Sequence, residues 1–95
     1  MALNDITRSA VLLAVEEYDH RGRDAFLEKY GFGPARTYVL VIDGKEYDSK
    51  AIVGAAHGHL PGLDPLESGE FSGGRNHAAK LLGDLGFEVI TRDAT

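Results

Sequence analysis

The order of patterns along this chain predicts a small single α+β domain, residues 1–95 with a core over about 6–92, built α-α-β-β-α-α-β around a mainly antiparallel sheet of about three strands packed with helices. Three observations carry that expectation. Tyr38 to Ile42 is a near-continuous apolar run rich in β-branched residues. Asp43-Gly44 follows it, the dipeptide a tight hairpin prefers. Phe87 to Arg92 alternates with period two, which supplies a last strand to pair with the central run.

Taken in order, Asp5 or Thr7 caps a first helix running to about His20. At 100° per residue, Ile6, Ala10, Val11, Leu13, Ala14, Val15 and Tyr18 share one broad arc, and Arg8, Ser9, Glu16 and Asp19 the other. Arg21-Gly22 breaks the pattern, and Asp24 opens a second helix over Ala25 to Tyr30 with Phe26, Leu27 and Tyr30 facing inward. The apolar run at Tyr38 to Ile42 reads as a central strand covered on both faces. Lys45 to Tyr47 returns antiparallel, and Asp48 or Ser49 caps a helix over Lys50 to His57 that is apolar nearly all round. Its one free stripe is Lys50, Gly54 and His57, at i, i+4 and i+7. Glycine inside a helix costs about 1 kcal/mol against alanine, so Gly54 is expected to admit a close neighbour: another helix, or a ligand or nucleic acid backbone. His59 to Glu70 is a Gly/Pro/acid-rich loop anchored by Leu60, Leu63 and Leu66. A last helix, Arg75 to Leu85, turns Ala78, Leu81, Leu82 and Leu85 inward, and the tail Asp93-Ala94-Thr95 is expected to be disordered.

Composition narrows the function. A chain of 95 residues has no room for a separate catalytic domain. Without cysteine, disulfides and thiol nucleophiles are excluded, and the composition suits a reducing compartment. The apolar runs at Val11 to Val15 and Val39 to Ile42 are too short to cross a bilayer, and MALNDITRSA lacks the features of a signal peptide, so the expected location is cytoplasmic with no membrane partner. The net charge of -5 opposes nucleic acid binding by bulk electrostatics. The signs are unevenly placed, however: Glu16, Glu17, Asp19, Asp64, Glu67 and Glu70 fall away from Lys45, Lys50 and Arg75.

No phosphate-binding Gly loop, HExxH zinc helix or G-x-S-x-G elbow is present. His57 and His59 form an H-x-H pair that needs His77 or a carboxylate to hold a metal, and no spacing among the serines and histidines builds a triad. The expectation is therefore a non-catalytic protein with no metal and no cofactor. Two segments suit binding. Lys45-Glu46-Tyr47-Asp48-Ser49-Lys50 gathers a ring, a hydroxyl and ammonium groups at a helix start, where free N–H groups attract anions, although the Asp48 carboxylate competes for those donors. Its structural alternative is Tyr47 in the core, Asp48 and Ser49 as a cap and Lys50 in solvent. Ser72-Gly73-Gly74-Arg75-Asn76-His77 has no competing carboxylate and adds donors for phosphate oxygens or base edges; its alternative is a plain Ser/Gly cap.

Three blocks together, RDAFLEKYGFGPAR, YVLVIDGKEYDSKAIVGAAHG and FSGG followed by LLGDLGFEV, resemble the N-terminal head domain of ScoMcrA-like modification-dependent (type IV) restriction endonucleases. The resemblance covers about Ile6 to Ile90. It implies a head that precedes domains recognising modified DNA, phosphorothioated or carrying 5-methylcytosine, and an HNH nuclease domain that does the cutting. It supplies no established binding residues for the head. The expectation drawn from both lines is a DNA-binding recognition module of a restriction system, contacting duplex DNA through Lys45, Tyr47, Ser49, Lys50, Gly54 and His57 and through Ser72, Gly73, Gly74, Arg75, Asn76 and His77. Its partners would be DNA and further domains of a longer endonuclease. The alternative is a protein-interaction or homodimerisation head, motivated by the acidic balance and the all-apolar helix at Ala51 to Ala56.

Overall fold

In the computed structural model, residues 5–34, 37–71 and 77–91 are described. Thr7 accepts a hydrogen bond from the Ala10 N–H at 3.1 Å through its hydroxyl oxygen, and so caps α1 (Arg8–Arg21). Ala10, Val11, Ala14, Val15 and Tyr18 of α1 are buried as the helical projection expects. Leu13 is not: it lies at the margin of the apolar arc and is 48% exposed, with Leu12 beside it 42% exposed. After Gly22, α2 (Arg23–Tyr30) buries Phe26 and Leu27 and stops before Gly31. Tyr18, Phe26, Tyr30 and Tyr47 form a chain of tilted and edge-on ring contacts with centroids 4.9 to 5.0 Å apart, tying α1, α2 and the sheet together.

β1 (Tyr38–Ile42) and β2 (Lys45–Asp48) pair antiparallel through Asp43 and Gly44, whose φ angles of 52° and 80° give the two left-handed positions a tight hairpin requires. β3 (Glu88–Thr91) pairs antiparallel with the other edge of β1, giving the order β2-β1-β3. The three-stranded antiparallel sheet and the helix order agree with the sequence expectation. Leu40, Tyr47 and Val89 face the helical core. Val39, on the opposite face by period-two alternation, is also buried at 4%, while Val41 and Ile90 beside it are partly exposed.

α3 (Ser49–Gly58) lies between the sheet and α1, with α4 (Ala78–Asp84) beside it. Every residue of α3 from Ala51 to His57 is buried. Mid-helix Gly54 is what allows this. A Cβ there would stand 2.5 Å from Cζ of Phe32 and 2.9 Å from the Leu66 carbonyl oxygen, and the Gly54 carbonyl accepts a hydrogen bond from the Leu66 N–H at 3.0 Å. The close neighbour is thus an aromatic ring and a loop backbone, neither a helix nor a ligand. The loop is held down by buried Leu66 and half-buried Leu60, while Leu63 stays 38% exposed. A short 3-10 turn, Ser68–Glu70, is closed by a capping box between Glu67 and Glu70.

Alanine at position 54 gains about 1 kcal/mol of helix propensity, but overpacking against a ring and a backbone carbonyl costs about 1–3 kcal/mol. The carbonyl cannot swing aside as a side chain would, so Gly54→Ala is expected to lower stability by about 1–2 kcal/mol, measurable as a reduced urea midpoint with an unchanged slope.

Candidate nucleic-acid interface

The segment Lys45–Lys50 was expected to present its polar groups outward. Most of them turn inward. Tyr47 is 3% exposed and its hydroxyl donates to both Asp19 carboxylate oxygens at 2.9 and 3.1 Å; burial, reinforced by that bond to Asp19, pushes the phenol up to about 12. Ser49 is 2% exposed and its hydroxyl donates to the Tyr38 carbonyl at 2.7 Å. Asp48 stands at the N-cap position but makes no side-chain cap bond. Its buried carboxylate instead accepts from the Tyr18 hydroxyl at 2.7 Å and from Nε and Nη2 of Arg23 at 2.9 and 3.0 Å. Burial first, then the bond to Asp48, raises the Tyr18 phenol; the bond to Asp48 raises the Arg23 guanidinium. Two helices, α1 through Tyr18 and α2 through Arg23, are thus pinned to the start of α3 by one side chain. The cap at position 48 is where the sequence placed it, and its chemistry is tertiary, not local.

The stripe Lys50, Gly54, His57 is covered at Gly54 and His57, and Lys50 at its start is half-buried. His57 is 7% exposed, with Nδ1 in hydrogen-bond contact with the Asp64 carbonyl. Gly54 is closed over by Phe32. Tyr47, Ser49, Gly54 and His57 therefore serve internal packing, with the hydroxyls of Tyr47 and Ser49 both donated inward. The all-apolar helix that motivated a dimer is likewise consumed inside its own domain. Lys45 remains exposed, with Nζ 3.5 Å from Asp19. Lys50 is half-buried; its ammonium donates to the Ser68 carbonyl at 2.7 Å and lies 5.3 Å from the centre of the Phe71 ring. That contact brings the start of α3 against the residue that immediately precedes Ser72. Ser72, Gly73, Gly74, Arg75 and Asn76 lie outside the described residues, while His77 is exposed at the N-cap of α4.

Charge pairing extends beyond this region. On the far side of α1, Glu17 accepts from Arg21 at 2.7 Å, Lys29 at 2.6 Å and the Tyr30 hydroxyl at 2.6 Å, with Nε2 of His59 at 3.5 Å. Arg8 donates to the Leu85 carbonyl at 2.9 Å and stacks on Phe87, and Lys80 pairs with Asp84 at 2.7 Å. Every lysine and arginine among the described residues has an internal partner. Arg23 and Glu17 are the residues that sequence reasoning missed as organisers, and no spacing in the chain links 23 to 48 or 17 to 29. Among the described residues no cluster of three or more His, Cys, Asp or Glu side chains has the arrangement of a metal site.

The sequence profile of the ScoMcrA-like N-terminal head domain matches residues 4–91. Among solved structures, the chain is similar to the type IV phosphorothioation-dependent restriction endonuclease ScoMcrA, with 32% identity and a TM-score of 0.70. The match covers 96% of this chain and 14% of that one, so the chain spans about a seventh of the length of the solved enzyme. A search of curated protein sequences finds no match.

Asp48→Ala strands the buried Tyr18 hydroxyl, at about 1–3 kcal/mol for an unsatisfied group, while half-exposed Arg23 returns to water; a loss of about 2–3 kcal/mol is expected in chemical denaturation. Burial alone would raise Glu17, but the hydrogen bonds from Lys29, Tyr30 and Arg21 outweigh it and bring the carboxyl from 4.5 to about 2. Its stabilisation is complete above pH 4.5 and is lost as the pH falls toward 2. Unfolding free energy measured across that window should fall less steeply in Glu17→Gln than in the parent.

Proposed function

We propose, from the premise that this chain belongs to the ScoMcrA-like N-terminal head-domain family of restriction endonucleases, that it is a non-catalytic accessory module that contacts duplex DNA. The observation that carries this reading is the meeting of Lys50 with Phe71. It joins a cationic side chain at one helix start to the segment Ser72–His77, whose glycines, Arg75, Asn76 and His77 suit phosphate oxygens and base edges. Lys45 adds an exposed cation on the same strand-to-helix unit. Tyr47, Ser49, Gly54 and His57 support this surface from beneath and leave the contacts to their neighbours. The solved relative is phosphorothioation-dependent by its own description, which makes modified duplex the first ligand to test. The module works in the cytoplasm alongside nuclease domains that do the cutting.

A second reading, a protein-interaction head, is favoured by charge. The chain carries a net -5, and its described cations are engaged internally.

Polarisation titrations of phosphorothioated and plain duplexes at low and moderate salt distinguish the two. DNA contact predicts that log affinity falls linearly with log salt, with a slope of about -0.9 per phosphate neutralised, and that Lys50→Ala and Arg75→Ala each weaken binding. Equal affinity of parent and both variants removes the residue assignment. Absence of binding at low salt removes DNA contact altogether.

A further inference from the structure

The three-stranded sheet has two edges, and they are built differently. β2 guards its own: Lys45 and Glu46 are exposed and charged, and Asp48 at its end is held by Tyr18 and Arg23. β3 carries Val89, Ile90 and Thr91, and has none of the lysine, proline or bulge that blunts an edge. The hairpin tells which of its backbone groups face outward. A two-residue turn is closed by a hydrogen-bonded pair, here Ile42 with Lys45. By alternation Leu40 also bonds to β2, which leaves Val39 and Val41 to bond Ile90 and Glu88. The N–H and C=O of Val89 and Thr91 therefore point away from β1, and no described residue hydrogen-bonds to them. The same two residues line an open groove of about 420 Å³ beside α4, with Tyr38 on its floor and Lys80, Gly83 and Asp84 on its wall.

From this we infer that the free edge of β3 pairs antiparallel with β3 of a second copy of this chain, joining the two sheets into one. The inference rests on the protein-interaction reading and names its partner. Directly opposed residues of paired strands share a face, so the helices of both copies stay on one side only if Val89 opposes the partner's Val89 or the partner's Thr91. Those are also the residues whose backbone groups are free, so facing and hydrogen bonding choose the same registers. Charge decides between them. Centring on Val89 sets Glu88 against the partner's Ile90. Centring on Ile90 sets it against the partner's Arg92, the next residue in the sequence, an opposite-charge pair formed twice by symmetry. In that register Val89 exchanges both hydrogen bonds with the partner's Thr91, and Thr91 with the partner's Val89. Ile90, partly exposed and outside the core, meets the partner's Ile90 at the two-fold axis as a non-hydrogen-bonded pair, where side chains approach most closely. The added strand extends the floor of the groove beside α4.

Sedimentation velocity and amide NMR of the 95-residue chain over a micromolar-to-millimolar series test this, with an unrelated peptide of alternating valine and threonine added to dilute chain as a parallel arm. Expected are a monomer–dimer equilibrium and concentration-dependent shifts centred on Glu88 to Thr91. Ile90→Lys sets two like charges across the axis, and Thr91→Pro removes an outward N–H that β1 does not use. Each should weaken the dimer about tenfold or more, with thermal melts close to the parent because neither side chain lies in the core. Unchanged dimerisation in both variants would overturn the edge pairing. So would a dimer whose shifts centre on Leu12 and Leu13 of α1, which leaves the protein-interaction reading standing. Peptide shifts on β3 without any dimer would overturn the second copy as occupant and also leave that reading standing. Monomer throughout, with no peptide shifts, would overturn both.

Discussion

From Ala51 to His57 helix α3 has no solvent face, and the rest of the domain is arranged to make that tolerable. The sheet lies on one side of it, α1 on another, α4 beside it, and the loop after it folds back across Gly54. A helix of small and β-branched residues buries little per side chain, so it gains stability by close approach and not by bulk. The Phe32 ring and the Leu66 carbonyl come near enough to forbid even a methyl group at position 54. What remains polar on α3 is bonded inward: Ser49 to Tyr38, His57 to Asp64 and Lys50 to Ser68. Among the described residues no buried side-chain nitrogen or oxygen lacks a partner.

Electrostatics follows the same economy. Several of the described cations hold two parts of the chain together, as Arg23 holds α2 to the β2–α3 junction and Lys29 holds α2 to α1, while Arg21 and Lys80 pair within their own helices. The acidic excess is what the surface then displays.

Much of the fold was legible in the sequence because its signals are local. The Asp43-Gly44 hairpin, the Thr7 cap, the stop at Gly31 and the period-two pattern of β3 each act over a few residues. The errors arose where distant chain decides. Periodicity marks Lys50, Gly54 and His57 as a less apolar stripe, but it cannot tell solvent from a loop that returns across it. The site was less legible still. Tyr47, Ser49 and Asp48 carry the residue types of a binding patch, and their hydrogen bonds reach 28, 11 and 30 residues away to Asp19, Tyr38 and Tyr18.

Enclosure of α3 also bears on how the domain can respond to anything it touches. Freeing any one neighbour of that helix uncovers the centre of the molecule, so partial openings are costly and the secondary elements separate together or not at all. A perturbation at one surface therefore has little internal give to exploit.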